Sequence, residues 1–226
     1  MATLTSFTVS TILQLISDLR GESSTNTDTI RIRAVSHAEQ DLAKRRFFRV
    51  HQVRDQSIGT GNGSTQDFTI GSATYPMRDK GLFEVFVGGT EESNRYQVVD
   101  YTQYKELVNS DASSRVAYEY YDQANDAWKV KVNPVPSNGD GVTASWYFIP
   151  PTRTLTTESV VTPDIYIVAY LALADLYHGE DELQLEQLAR QEAENRLGEA
   201  EGRELTPAVN QIYQMRSSVK KGIGTY

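Results

Sequence analysis

The hydrophobic period of this chain changes twice, and that change limits its possible folds more than any other feature. Residues 1–55 and 153–204 space their apolar side chains three and four apart, as amphipathic helices do. Residues 56–152 alternate apolar and polar side chains in short runs, as strands do. One sheet or one bundle alone therefore cannot account for the chain. Its 226 residues are enough for one domain that carries an insertion.

Two helices are predicted in residues 1–55. Thr8 or Ser10 can be the N-cap of the first helix, and Gly21 ends it. The second helix runs from about Asp28 to Arg49. It ends in a basic cluster, residues 44–49, which we expect to be solvated or paired with acids rather than bound to phosphate. The apolar stripes are Ile12, Leu13, Leu15, Ile16 and Leu19 in the first helix, and Ile32, Val35, Ala38 and Leu42 in the second.

Residues 56–152 contain six or seven short strand-like runs separated by turn residues, which predicts an antiparallel sandwich or a small barrel. Eight of the 13 tyrosines and both tryptophans fall in this segment. We expect most of these aromatic side chains to pack in the core or across strands. Contact with another protein, or stacking on sugars or bases, is the alternative.

The last third of the chain is predicted to be helical again. Thr162 is the expected N-cap, with Pro163 at the first helical position. The helix that follows, residues 165–177, is apolar on all sides, which predicts a buried, central position. A longer helix with an acidic outer face comes next. Its predicted buried stripe is Leu185, Leu188, Ala189, Ala193, Leu197 and Ala200.

The predicted fold class is therefore α+β: a four-helix bundle with an antiparallel β-sandwich or barrel-like insertion between the second and third helices, plus an extended C-terminal arm. The expected domains are residues 1–55 for the N-terminal helices and residues 56–152 for the β-rich insertion. Residues 153–204 complete the bundle, and residues 205–226 form the docking tail.

Composition excludes several classes of protein. The chain has no cysteine, which excludes disulfide scaffolds, thiol nucleophiles and cysteine-ligated metal centres. Its formal net charge of −8 opposes a surface that coats nucleic acid along its whole extent. No run of about 18 apolar residues occurs, so no membrane span is predicted, and no secretion signal is expected at the start.

The residues that could carry chemistry lack the spacing of an enzyme or a metal site. His37, His51 and His178 have no partner at zinc-site spacing, so we expect them to be structural or on the surface. The glycine loop at residues 59–64 lacks the lysine of a phosphate-binding loop and precedes a strand, which predicts a turn. The acids at residues 180–182 are expected to complement a helix dipole rather than bind a cation. The sequence thus predicts no catalytic residue, no cofactor and no metal.

Charge is distributed unevenly at the carboxyl end. Residues 175–204 carry 10 acids and 3 bases, a net of −7. Residues 205–226 carry 3 bases and no acid, a net of +3, together with several apolar anchors. We therefore expect residues 205–226 to be an arm that docks on another protein, with a frayed terminus as the alternative.

Three stretches carry a resemblance to a known family. Residues 130–136 are a strand that ends in two prolines, and residues 142–151 are a strand that ends in Pro150 and Pro151. Residues 162–177 then form a helix rich in Tyr, Ala and Leu. This order resembles the head-to-tail adaptor (head-tail connector, or head-completion) proteins of tailed bacteriophages. The turn-to-strand element at residues 59–68 is also similar to one found in phage structural proteins.

The resemblance implies a non-enzymatic virion protein, made in the host cytoplasm, that forms a ring of about twelve copies below the portal. Its implied partners are the portal protein, tail proteins (nozzle, tube or fibre) and further copies of itself. Genomic DNA would pass through the lumen without specific binding, and no membrane is involved. The family pattern maps the portal contact onto the tail, at Tyr213, Met215, Arg216, Lys220, Lys221 and Tyr226.

Two other functions stay open at this point. A glycan-binding β module of a phage tail or fibre assembly would use Trp128, Trp146 and the tyrosines as a platform for sugars. A hydrolase built into the virion is the third possibility, and no motif in the sequence supports it.

Overall fold

The structure, a computed structural model, describes the backbone of residues 6–221 and the side chains of residues 6–202. The chain divides into two compact units: a helical unit of residues 1–50 and 152–226, and a β unit of residues 51–151. In chain order the elements are β1 (Ser6–Thr8), α1 (Val9–Leu19), α2 (Thr29–Arg45), β2 (Gln52–Thr60), β3 (Asp67–Ile70), β4 (Met77–Val87), β5 (Arg95–Val98), α3 (Tyr101–Ser110), β6 (Val116–Asp122), β7 (Ala127–Asn133), β8 (Gly141–Phe148), β9 (Ser159–Val161), α4 (Ile165–Gly179) and α5 (Leu183–Lys221).

Side-chain capping sets where the first two helices begin. The Thr8 hydroxyl accepts a hydrogen bond from the N–H of Thr11 at 3.2 Å, at the start of α1. The Asp28 carboxylate accepts one from the N–H of Arg31 at 2.8 Å, at the start of α2. Each cap satisfies an amide that has no partner inside its helix. Of the two caps predicted for α1, Thr8 and Ser10, the structure has Thr8, and the predicted start of α2 near Asp28 is confirmed.

Helix α4 is the buried helix of the helical unit, as its apolar circumference predicted. It packs against α1, α2 and α5. Its N-cap is Asp164, whose carboxylate accepts from the N–H of Tyr166 at 2.9 Å. The prediction of Thr162 as the cap is wrong, because the Thr162 hydroxyl donates to the carbonyl of Asp164 instead. The buried side chains of α4 are Ile167, Val168, Ala169, Leu171, Ala172, Leu173, Ala174 and Leu176.

A two-stranded antiparallel sheet joins the two chain segments of the helical unit. Strand β1 pairs with β9, and Phe7 lies opposite Val160. The N–H of Val9 continues the contact by donating to the carbonyl of Glu158 at 2.9 Å. Each strand has three residues, too few to show an alternating pattern, so neither was predicted from the sequence.

A buried ion pair holds the returning chain to α2. The carboxylate of Glu39, which is fully buried, accepts hydrogen bonds from the guanidinium of Arg153 at 2.9 and 3.0 Å. The N–H of Val161 donates to the same carboxylate at 2.8 Å. Burial raises the pKa of Glu39, and these donors oppose that rise. One side chain of α2 therefore binds both Arg153 and strand β9.

The β unit is built on one seven-stranded sheet in the order β2-β8-β4-β5-β6-β7-β3. Neighbouring strands are antiparallel except β5 and β6, which are parallel because α3 carries the chain back between them. The end strands β2 and β3 also approach each other, which gives the sheet a barrel-like form. Its core side chains include Phe68, Val85, Val130, Val132, Val142, Ala144, Trp146 and Phe148.

The predicted architecture is wrong, although the α+β class holds. The described residues contain five helices rather than four, since Tyr101–Ser110 forms α3 inside the β unit. That helix buries only Tyr104, although Tyr101, Tyr104 and Val108 recur at the helical spacing of three and four. Of the two forms predicted for the insertion, sandwich and barrel, the β unit is barrel-like, but its sheet is mixed rather than antiparallel, and the helical unit contains the β1–β9 sheet. The extended arm is also wrong over residues 205–221, where the backbone continues α5.

We expect Arg153→Met to lower the free energy of unfolding by about 3–5 kcal/mol, because it leaves the buried Glu39 carboxylate without its charged partner. Equilibrium unfolding in urea at pH 7 measures this. The matched control is Arg45→Met, which removes more exposed pairs to Asp41 and Glu194 and should cost under about 1 kcal/mol. Equal losses in the two variants would contradict the anchoring role of Glu39.

Candidate functional site

The residues predicted to bind a portal lie at the end of the chain. Tyr213, Met215, Arg216, Lys220 and Lys221 fall within the backbone bounds of α5, but their side chains lie outside the described residues. Tyr226 lies outside them altogether. Their part in a portal contact stays a prediction.

Helix α5 is much longer than the helix against which it packs. Its 39 residues span about 58 Å at 1.5 Å each, whereas the 15 residues of α4 span about 22 Å. Helix α4 can therefore cover only part of the length of α5. The side chains of α5 that are described as buried are Ala189, Ala193, Leu197 and Ala200, all before residue 203.

The first turns of α5 expose an apolar patch, which we call the α5 patch: Leu185 and Leu188, which lie three positions apart on one side of the helix. Their side chains are 42% and 55% exposed. The prediction that Leu185 and Leu188 are buried is wrong. The contact with α4 uses the small side chains of Ala189 and Ala193, which let two helices approach closely and leave the leucines outside it. The acids Asp181 and Glu182, both exposed, precede this patch.

The basic cluster at the end of α2 pairs with acids of its own unit. Arg45 lies 2.7 Å from Asp41 and 2.8 Å from Glu194 of α5, and Arg46 pairs with Glu201. The expectation that this cluster pairs with acids of a neighbouring element is confirmed for these two arginines. Part of the acidic face of α5 is therefore neutralised within the unit.

The acids between α4 and α5 do not all complement a helix dipole. Glu180 follows the last residue of α4, and its carboxylate accepts two hydrogen bonds from Arg20 at 3.0 and 3.1 Å. Among the acids near the start of α5, Glu186 is the one in the first turn. Glu180 therefore ties α4 to the end of α1, which the sequence pattern did not indicate.

The three histidines lie in packing and surface positions, as expected. His51 is buried with its ring edge-on to Phe148 at 5.8 Å. His178 is exposed, with Nδ1 3.0 Å from a carboxylate oxygen of Glu186, and His37 is exposed on α2. Among the residues with described side chains, no group of three or more His, Asp or Glu is arranged to hold a metal ion.

The glycine loop is a packed turn in the β unit. An ideal Cβ on Gly61 would lie 2.4 Å from the carbonyl oxygen of Ser137, so only glycine fits at this position without a shift. The N–H of Gly61 donates to the carbonyl of Asp140 at 2.7 Å, and the N–H of Gly139 donates to that of Gly61 at 3.0 Å. This close approach explains the glycine by packing, without a phosphate.

Most aromatic side chains of the β unit serve packing, as expected. Trp146 is buried, and its indole N–H donates to the carbonyl of Tyr75 at 3.3 Å, so it cannot belong to a surface platform. Helix α3 covers one face of β6, where Tyr104 and Tyr118 lie 4.6 Å apart between ring centroids. Trp128 is different, because it is half-buried and borders a cleft.

That cleft, of about 450 Å³, is the feature of the β unit that the sequence did not predict. It lies between β4 and β6, next to the end of the short strand β5. Glu119 of β6 lines it, and its carboxylate accepts a hydrogen bond from the N–H of Leu82 at 2.8 Å and another from the N–H of Lys80. Desolvation raises the pKa of Glu119 to about 7, against the effect of these amide donors.

No helix in the described part of the chain combines the length and apolarity needed to span a bilayer.

Glu119 makes stability depend on pH in a defined direction. Its pKa is 4.5 in an ordinary setting and about 7 in the folded chain, so folding takes up a proton between these values. The free energy of unfolding should therefore fall as pH rises from about 4.5 to about 7, and then level off. Glu119→Gln should remove this contribution, which is at most about 3 kcal/mol. The free energy of unfolding of the variant should therefore rise relative to that of wild type as pH rises.

Urea unfolding of both proteins at several pH values between 5 and 8 measures the difference. The control is Glu106→Gln, which neutralises an exposed acid on α3 and should leave the slope against pH unchanged. A Glu119→Gln slope equal to that of wild type would contradict the assignment.

Comparison with protein-family models finds no match for this chain, and comparison with curated proteins finds none either.

Proposed function

We propose that this chain is a head-to-tail adaptor of a tailed bacteriophage, a structural protein that forms a ring below the portal and joins the capsid vertex to the tail. The observation that carries the proposal is the division of α5. Its first part packs in the helical unit, and the helix then continues for about 20 residues toward Lys221. The buried side chains of the first part are Ala189, Ala193, Leu197 and Ala200. A helix of this length has a surface to offer a partner.

The sequence of this distal part supports docking. Apolar residues recur there at intervals of three and four, the period of an amphipathic helix, and the net charge of residues 205–226 is +3. An amphipathic basic helix in the groove of an acidic partner is a common mode of recognition. The proposed arm is thus a helix rather than an extended strand. The recurring residues are Leu205, Val209, Ile212, Met215 and Val219.

The α5 patch supports contact between copies in the ring. Leu185 and Leu188 are exposed on the same side of α5, close in sequence to the exposed acids Asp181 and Glu182. The surface of a neighbouring copy that covers them would gain burial of apolar area at about 25 cal/mol per Å². A contact between two different surfaces of identical copies closes into a ring when the rotation allows it. In this proposal the β unit is left to contact tail proteins.

Portal binding is expected to depend on the basic end of the chain. The double variant Lys220→Glu and Lys221→Glu should weaken binding to a cognate portal ring about tenfold or more, because attraction to an acidic surface becomes repulsion. Isothermal titration against purified portal rings at two salt concentrations measures this, and the wild-type affinity should fall as salt rises. Native mass spectrometry should show about twelve wild-type copies per portal ring.

The control is the double variant Arg33→Glu and Lys105→Glu, which makes the same change in net charge at exposed positions outside α5. It should bind the portal like wild type. An equal loss of portal affinity in both double variants would mean that net charge alone, and not the end of α5, causes it. A wild-type chain that never binds a portal ring would overturn the proposed function.

Contact between copies is expected to depend on the α5 patch. Leu188→Asp should prevent a complete ring on the portal, since it places a charge in a contact that buries leucine. The thermal unfolding midpoint should change little, because Leu188 is already 55% exposed. The control Leu155→Asp alters a leucine of the same unit that is 61% exposed and lies outside any helix. Complete rings formed by Leu188→Asp, counted by cryo-electron microscopy, would contradict the role of the α5 patch.

A further inference from the structure

The cleft of the β unit has the properties of a small-molecule site that the adaptor function does not require. Its volume, about 450 Å³, falls within the usual range of ligand pockets. It is bordered by apolar side chains, by two aromatic rings and by a few charged groups, which is the usual make-up of such pockets. Two other grooves of the described surface have one carboxylate each in their lining, whereas the cleft has three.

The floor of the cleft is rigid because the backbone there is tightly held. Strand β4 is irregular between Met77 and Leu82, and Lys80 in this stretch has a φ of 55°. A Cβ on Gly81 would lie 2.6 Å from the carbonyl oxygen of Arg78, so this stretch packs closely on itself. The Glu119 carboxylate then binds the amides of Leu82 and Lys80 across the gap. A site held in this way loses little entropy when a ligand binds.

Two aromatic side chains offer a ligand the face or edge of a ring. Trp128 is half-buried, and Tyr121 holds it edge-on with 5.4 Å between ring centroids. Tyr101, at the start of α3, is 52% exposed and contacts Tyr118 at 5.3 Å. Each ring is held by a neighbour, and the ammonium of Lys105 also lies over the Tyr101 ring, 4.5 Å from its centroid. The Trp128 ring is therefore the one whose face a ligand can use. The faces of aromatic rings carry partial negative charge, which attracts the C–H groups of a sugar ring.

The charges around the cleft are close to balanced. Asp79 and Asp100 are acids, Lys80 is a base, and the ammonium of Lys105 lies over the ring of Tyr101, which lines the cleft. Desolvation raises the pKa of Glu119, which reduces its negative charge near neutral pH. One carboxylate oxygen of Asp100, the N-cap of α3, already accepts a hydrogen bond from the N–H of Gln103 at 2.9 Å. A strongly charged ligand would therefore gain little net attraction. A neutral ligand with many hydroxyl groups could donate to the carboxylates and accept from Lys80.

We infer that this cleft binds a neutral, hydroxyl-rich ring, a sugar of one or two residues, with Trp128 against its C–H face, Tyr101 beside it and Asp79 accepting from its hydroxyls. A copy carrying this site would bind surface glycans through the β unit independently of the portal contact. The site belongs to the β unit alone, so it stands or fails apart from the adaptor function. A ring of copies would multiply a weak affinity into a strong one.

Saturation-transfer NMR and isothermal titration on the full chain test the inference. The probes are glucose, galactose, N-acetylglucosamine and maltose at millimolar concentrations, with tetramethylammonium as a cationic probe. At least one sugar should show saturable binding, and the cation should show none. Saturable binding of the cation alone, or of no probe, would overturn the inference.

Two cleft variants and one control locate the binding. Tyr101→Ala should weaken sugar affinity about threefold to tenfold, through loss of the aromatic side chain that borders the ligand. Asp79→Asn, at an exposed position that leaves the fold intact, should weaken it about twofold to tenfold. The control Tyr75→Ala alters a tyrosine of the same unit that is 45% exposed and lies outside the cleft, and should bind like wild type. An equal loss in the control, or no loss in either cleft variant, would place the sugar elsewhere and refute the site.

Discussion

The helical unit depends on a charge that is paired inside the protein. Its two chain segments are separated in the sequence by the 101 residues of the β unit, so something must hold the returning chain to the first helices. The Glu39 carboxylate does so by accepting from Arg153 and from the amide of Val161. A buried ion pair contributes little net stability over an apolar pair, but a broken one is costly. Its effect is therefore to exclude other arrangements of the segment that leads to β9.

The β unit faces the complementary problem of closing its sheet. Strand β5 has four residues and pairs with β4 and β6 over only part of their length, so a gap opens between these longer strands. The Glu119 carboxylate serves there as a hydrogen-bond acceptor for the amides of Leu82 and Lys80 in β4. The raised pKa of Glu119 follows from this position. The same gap forms the cleft, so one irregularity of the sheet produces both the perturbed acid and the candidate site.

Sequence patterns predicted a helix well where one of its faces, or its whole circumference, is buried. The starts of α1 and α2 and the burial of α4 follow from side-chain capping and from apolar circumference, which are local properties. Helix α3 was missed although Tyr101, Tyr104 and Val108 recur at helical spacing, because it lies within a segment whose other runs alternate like strands. The distal half of α5 was missed although its apolar residues recur every three or four positions, a signal that could have been used. Leu185 and Leu188 were assigned to the core because a stripe in the sequence does not reveal where the neighbouring helix stops covering it.

The sequence by itself determined the order of helical and strand segments, the central helix and the contrast between an acidic and a basic carboxyl end. These features depend on side-chain period and on charge, which are readable residue by residue. Only the tertiary structure decided that Arg45 and Arg46 neutralise acids of α5. It also decided that Trp146 is buried while Trp128 borders a cleft, and that Glu119 of β6 binds an amide of β4. Each of these joins residues tens of positions apart, and sequence spacing carries no information on such distances.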